Sequence, residues 1–235
     1  MFKFRALHGR QPGEPVYRIL WWHFMHLLCY LWVAPCYRYR AWGIHNIPSD
    51  GPVILISNHQ SFLDPILVGL AGHHRQFYAM ARHTLFMNPV LSWLIRSLNA
   101  IPINRDEADT AAMRRCLEVL KLRHGLLIFP EGTRTLDGSA QTFAPGTMLI
   151  IKRSKAPVVP VAIEGAFDAW PKGRALPKVW GHVRVRYGKP IASEVLAKMG
   201  AEKAMLHLQQ EVEAMRQQLL EEQADQSCDV AVIKS

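Results

Sequence analysis

The sequence predicts an α/β protein: a single layered domain with a largely parallel or mixed sheet flanked by helices, plus an N-terminal membrane-associated helical segment. Short apolar runs alternate with amphipathic stretches from Gly43 onward, the pattern of strands joined by crossover helices. Runs such as Val53-Ile54-Leu55-Ile56 are apolar at every position, as strands covered on both faces must be. The 235 residues, 49% hydrophobic and 20% charged, suffice for one substantial core.

The elements follow in order. Met1 to Gly13 is basic, with Lys3, Arg5 and Arg10. Ile19 to Pro35 is apolar and aromatic, interrupted only by His23 and His26, and its seventeen residues would make a helix of about 26 Å, short of a hydrocarbon core of about 30 Å. Cations flank it on both sides, Arg18 before and Arg38 and Arg40 after, whereas a spanning helix concentrates them on one. Trp21, Trp22, Trp32 and Trp42 suit an interface, where an indole has one wet edge and one apolar face. Residues 1–42 are thus expected to form a monotopic anchor, a helix or helical hairpin entering one leaflet from the cytoplasmic face of a membrane; a buried core helix and a true span are the alternatives.

Strands are expected over Val53 to Asn58, Gln76 to Ala81, Ala100 to Asn104, Leu126 to Phe129, Val158 to Ile163 and Val183 to Tyr187. Helices are expected over Pro65 to Leu70, Val90 to Leu98, Thr110 to Arg123 and Thr147 to Arg153. Pro160 would cost a central ladder one hydrogen bond, which places its strand at an edge or at the wall of a cleft. Together these make a domain over 43–199. Ala201 to Gln223 reads as an amphipathic helix, within a segment 200–224, with Met205, Leu208, Val212, Met215 and Leu219 on one stripe. Residues 225–235 have no pattern and are expected to be a disordered tail.

A net charge of +9 implies an anionic partner: membrane, phosphorylated substrate, acidic carrier protein or nucleic acid. No nucleic-acid-binding motif accompanies the charge, so nucleic acid is not expected. Cys29, Cys36, Cys116 and Cys228 form no Cys-x-x-Cys pair and read as reduced thiols. The chain lacks a Gly-x-Gly-x-x-Gly fingerprint, a phosphate-loop Gly-x-x-x-x-Gly-Lys and a Gly-x-Ser-x-Gly elbow, which argues against dinucleotide, phosphate-loop and serine-hydrolase chemistry. His73-His74 and the pair His23 and His26 lack a third ligand at persuasive spacing, and no metal is expected.

The most informative stretch is Asn58-His59-Gln60-Ser61-Phe62-Leu63-Asp64. Five residues of regular helix turn through about 500°, so His59 and Asp64 would diverge on a helix. They can meet across a strand-to-loop break, and Asp64-Pro65 supplies one by reading as an N-cap followed by proline at the first helical position. His59 could then give one ring nitrogen to Asp64 and keep the other for a substrate hydroxyl. The plainer reading makes Asp64 a helix cap and His59 a loop residue. Ser61, beside the histidine with no elbow around it, reads better as a loop hydrogen bonder than as a nucleophile.

Three further segments accompany the histidine: Ile101-Pro102-Ile103-Asn104-Arg105, Phe129-Pro130-Glu131-Gly132-Thr133-Arg134 and Val158-Val159-Pro160-Val161-Ala162-Ile163. Arg105 and Arg134 can each grip two phosphate oxygens, although Arg134 could instead pair with Glu131 or another carboxylate. In this order and spacing the four blocks resemble the glycerolipid acyltransferase family. The resemblance spans Asn58 to Ile163, and its departure is Phe143-Ala144-Pro145-Gly146, where many relatives carry Phe-Lys-x-Gly.

The resemblance implies transfer of a fatty acyl group from acyl-CoA or acyl-carrier protein to the sn-2 hydroxyl of lysophosphatidate, giving phosphatidate, with no tightly bound cofactor. It implies a catalytic His59 and Asp64, and an acceptor site from Arg105, Glu131, Gly132, Thr133 and Arg134. Backbone amides near Gly132 are candidates for holding the oxyanion. The implied partners are a lysolipid acceptor, the acyl donor and membrane lipids. Another lysolipid acceptor, or a non-catalytic lipid-binding role, is the alternative.

Overall fold

The structure is a computed structural model that describes residues 14–72, 75–104 and 110–232, with side chains described as far as residue 223. Met1 to Gly13, His73-His74 and Arg105 lie outside the described residues.

The chain opens with helix α1 (Val16–Cys36), followed by β1 (Arg40–Trp42), β2 (Val53–Ser57), α2 (Asp64–Ala71), β3 (Phe77–Arg82), α3 (Pro89–Ser97) and β4 (Ala100–Ile103). It continues with α4 (Thr110–Lys121), β5 (Gly125–Ile128), α5 (Thr147–Ser154), β6 (Val158–Glu164), α6 (Ala166–Ala169), β7 (Arg184–Tyr187), α7 (Ser193–Met199) and α8 (Ala201–Val232). The strands form one seven-stranded sheet in the order β1-β7-β6-β2-β5-β3-β4. Neighbours run parallel except β6 and β7, which form an antiparallel pair.

Helices cover both faces of the sheet, and the alternation of side chains along each strand builds both cores at once. Ile54 and Ile56 of β2, with Leu126 and Ile128 of β5, face a core closed by α4, α5, α7 and α8. Val53, Leu55 and Leu127 face the opposite core, closed by α2, α6 and the C-terminal end of α1. The expected stripe of α8, Met205 to Leu219, belongs to the first core. That helix continues past residue 224 to Val232, into the segment expected to be a disordered tail.

Pro160 corrects the expectation of an edge, because β6 lies inside the sheet between β2 and β7. Its ring is tolerated because its polar edge faces the end of β7, where Gly188 N–H donates to Pro160 O at 2.8 Å just past Tyr187. Beyond that point the pairing slips by one residue, Tyr187 standing opposite Val161 and Ile191 opposite Val158, and the extra residue lets the chain leave the sheet.

Helix α1 has 21 residues and so reaches about 31 Å, longer than the sequence suggested because Val16, Tyr17 and Arg18 join its start and Cys36 its end. Polar contacts fasten the start of this helix to β3, to α3 and to the turn before β4. Glu14 accepts from Tyr78 Oη at 2.9 Å and pairs with Arg18 at 3.0 Å, Arg18 donates to Asn99 Oδ1 at 2.8 Å, and Trp21 Nε1 donates to Ser97 Oγ at 3.0 Å. The carboxylate of Glu14 adds to burial in raising the Tyr78 hydroxyl to about 12.

Candidate active site

Strands β5, β2 and β6 lie side by side and parallel, with Ile56 level with Ile128 on one side and with Pro160 on the other. Their carboxyl ends therefore open at one edge, where ligands of such sheets gather. Asn58 fixes the exit from β2 by acting as one more rung of the ladder: its amide donates to Ile163 O at 2.9 Å and accepts from Ile163 N–H at 2.8 Å. The chain then turns, and His59 and Asp64 meet.

His59 Nδ1 lies 2.7 Å from Asp64 Oδ2, and the same oxygen accepts from the backbone N–H groups of Gln60 at 2.6 Å and Ser61 at 2.7 Å. Asp64 is fully buried, whereas the His59 side chain keeps 13% of its exposure. Asp64 does not cap the helix: α2 begins at Asp64 itself, with Leu63 at the cap position making no side-chain cap bond. The carboxylate turns back to the loop because three donors already converge on it there. A carboxylate accepting from Nδ1 fixes the proton on that nitrogen and leaves Nε2 as the basic atom. The imidazole is stacked on Phe129, ring centroids 4.1 Å apart and planes 18° apart, which sets its orientation from the end of β5.

The turn after β5 wraps around this histidine. Glu131 Oε1 accepts from His59 N–H at 3.1 Å, and Thr135 N–H donates to His59 O at 2.9 Å. Burial pushes the Glu131 carboxyl up to about 8 against the lowering effect of its backbone donors, so it is largely protonated near neutrality. Gly132 has φ 70° with open space where a Cβ would stand, and its N–H donates to Phe129 O at 3.1 Å. The Gly132 amide itself is thus engaged within the turn. Thr133 Oγ1 accepts from Lys172 Nζ at 3.2 Å, and Arg134 lies over the Phe62 ring with its guanidinium carbon 3.4 Å from the centroid. Ser61 Oγ donates to Trp170 O at 2.9 Å, the loop-fastening role read for it above.

A cavity of about 170 Å³ adjoins the site, lined by Met80, Ile103, Ile128, Phe129, Gly132 and Thr147 among others. A second, of about 290 Å³, shares Ile103 and extends along β4 past Ile101 and His83.

Sequence reading missed the supports behind the loop. Gln60 Oε1 accepts from the N–H groups of Ala166 at 3.2 Å and Phe167 at 3.3 Å, and its Nε2 donates to Gly138 O at 2.9 Å and reaches Glu164 Oε2 at 3.4 Å. Arg216 of α8 completes the chain, bonding Glu164 at 2.8 Å and Glu213 at 2.9 and 2.8 Å. Nothing in the spacing of residues 60, 164 and 216 announces that contact.

The layered sheet thus brings a histidine and a carboxylate together at a strand end, backed by a Glu-Gly turn. The sequence profile of the family described as Acyltransferase matches residues 38–164, and the chain belongs to that family. The chloroplastic 1-acyl-sn-glycerol-3-phosphate acyltransferase of Arabidopsis thaliana is 31% identical over 175 residues, covering 72% of this chain and 49% of that one. The 1-acyl-sn-glycerol-3-phosphate acyltransferase of Bacillus subtilis is 25% identical over 80% of this chain and 90% of its own length. A crystal structure of the 1-acyl-sn-glycerophosphate acyltransferase from Thermotoga maritima superposes with a TM-score of 0.73 at 25% identity, covering 92% of this chain and 86% of that one. The chain spans about half the length of the plant relatives it matches.

Proposed function

We propose that the protein is an O-acyltransferase that moves a fatty acyl group from the thioester of acyl-CoA or acyl-carrier protein to the sn-2 hydroxyl of lysophosphatidate, giving phosphatidate. The observation that carries the reading is the Asp64–His59 contact at 2.7 Å, with His59 stacked on Phe129 at the sheet edge. An alcohol with a pKa of roughly 16 does not ionise unaided, so a base must take its proton as oxygen attacks the thioester carbonyl. His59 Nε2 takes that proton, and Asp64 steadies the resulting imidazolium. The tetrahedral intermediate collapses with cleavage of the carbon–sulfur bond, and the imidazolium returns the proton to the departing thiolate. The acceptor supplies the nucleophilic oxygen, so no covalent acyl-enzyme is needed. The Glu131 carboxyl, raised by burial, and the Gly132–Arg134 turn border the acceptor, and a small, mainly apolar cavity opens beside Phe129.

Residence on a membrane, at its cytoplasmic face, fits the substrates. Among the described residues one helix, α1, is long and apolar enough to cross a bilayer, and 17% of its most apolar window is buried. Ile19 and Trp22 near its start and Val33 near its end are buried against the domain, which supports a helix lying along the protein and dipping into one leaflet.

His59→Ala and Asp64→Asn test the reading on purified protein supplied with lysophosphatidate and each acyl donor, products being identified by mass spectrometry. Turnover is expected to fall by about 10²- to 10⁴-fold with circular dichroism and vesicle binding retained. Full turnover in His59→Ala would exclude it as the base.

A further inference from the structure

We infer that Lys172 binds the phosphate of the acceptor, forming with Thr133 and Arg134 a cationic subsite beside His59. The inference rests on the acyltransferase reading above. Lys172 lies outside the four sequence blocks, in the connection between α6 and β7, and what singles it out is how firmly it is presented. Arg174 N–H donates to Pro171 O at 3.3 Å and Gly173 has φ 92°, so Pro171 to Arg174 is a tight turn of the kind that needs a positive φ at its third residue. Trp170 fastens the turn twice. Its indole N–H donates to Arg174 O at 2.8 Å, and its carbonyl accepts the Ser61 hydroxyl of the His59–Asp64 loop at 2.9 Å.

From this turn the ammonium reaches Thr133 Oγ1 at 3.2 Å. Thr133 sits midway between Glu131 and Thr135, the residues that hold both backbone groups of His59. A hydroxyl is a neutral acceptor and leaves the charge uncancelled, and among the described residues Lys172 makes no ion pair. An ammonium has three donors, so two remain for a ligand. Arg134, next to Thr133, holds its planar guanidinium flat against Phe62. A fork on the turn after β5 and a point charge reaching it from the Pro171–Arg174 turn suit a phosphomonoester dianion, which offers several oxygens at once.

The same connection reaches the surface where a lysolipid would lie. Leu176, Val179 and Trp180 are 73%, 63% and 69% exposed. The segment is bonded to the end of α1, Gly181 N–H donating to Cys36 O at 3.0 Å and Tyr37 Oη donating to Lys178 O at 2.7 Å. An acceptor with its tail in the apolar layer beside α1 would present its phosphate at the level of Lys172.

The test is steady-state kinetics of the purified full chain with lysophosphatidate, comparing wild type, Lys172→Gln, Lys172→Arg and, as a distant charge control, Lys198→Gln. The subsite requires KM for lysophosphatidate to rise about tenfold or more in Lys172→Gln with kcat within about threefold, most of the loss being recovered in Lys172→Arg and none appearing in Lys198→Gln. An unchanged KM in Lys172→Gln overturns the assignment. Equal collapse of kcat in both Lys172 variants also overturns it, since that would make the residue structural. Wild-type protein inert toward lysophosphatidate sinks the proposed function and this subsite together, whereas an active wild type with an indifferent Lys172 sinks the subsite alone.

Discussion

Helices α1 and α8, near the two ends of the described chain, both carry apolar residues at helical spacing, and they bury them differently. In α8 the stripe of Met205, Leu208, Val212, Met215 and Leu219 is buried, while polar residues such as Gln209 and Arg216 bond the loop at Phe143 and Glu164 of β6. In α1 only Ile19, Trp22 and Val33 are buried, while Leu20, Phe24, Leu27, Leu28 and Leu31 are each more than half exposed. A narrow stripe matches one contact surface, and the domain core is enough to cover it. A helix apolar on most sides exceeds what the domain can cover, and the excess needs another apolar phase. The contrast assigns α8 to folding and leaves α1 with the uncovered apolar surface on which the proposed membrane contact rests.

The sharpest way to break that contrast is to remove a methyl-rich side chain from each helix. Leu208→Ala leaves a cavity under β6 and is expected to lower the unfolding free energy by about 2–5 kcal/mol, read from urea titration. Arg216→Ala strands Glu164 beside Gln60 and is expected to cost about 3 kcal/mol and to lower turnover as the His59 loop loosens; unchanged stability would mean that α8 does not brace the site. The triple change of Leu27, Leu28 and Leu31 to Ser should leave stability nearly untouched and weaken sedimentation with anionic vesicles by about tenfold or more. A clear loss of folding stability in that triple variant would show that α1 belongs to the core after all.

The fold was legible wherever burial is written as periodicity. All six expected strands are present with boundaries shifted by no more than one residue, because apolar runs covered on both faces admit few other conformations. Strand β1 went unread because Arg40-Ala41-Trp42 pairs only with β7 at the sheet margin and carries no apolar run. Pro160 misled because its ring reveals a missing donor and not the direction in which that donor would have pointed. At the site, the His59–Asp64 pair was legible through short-range spacing. Gln60, Glu164 and Arg216 were not, since their contact depends on where β6 and α8 pack, and Lys172 was hidden because a single lysine in a loop has no pattern.

One oxygen of Asp64 accepts from an imidazole and two main-chain amides at once. Swinging it away would abandon all three partners of a fully buried carboxylate, so the negative end of the pair is stationary before any ligand arrives. A positive charge created on the ring during a reaction would meet a field that is already aligned, and little of the barrier would be spent on turning dipoles.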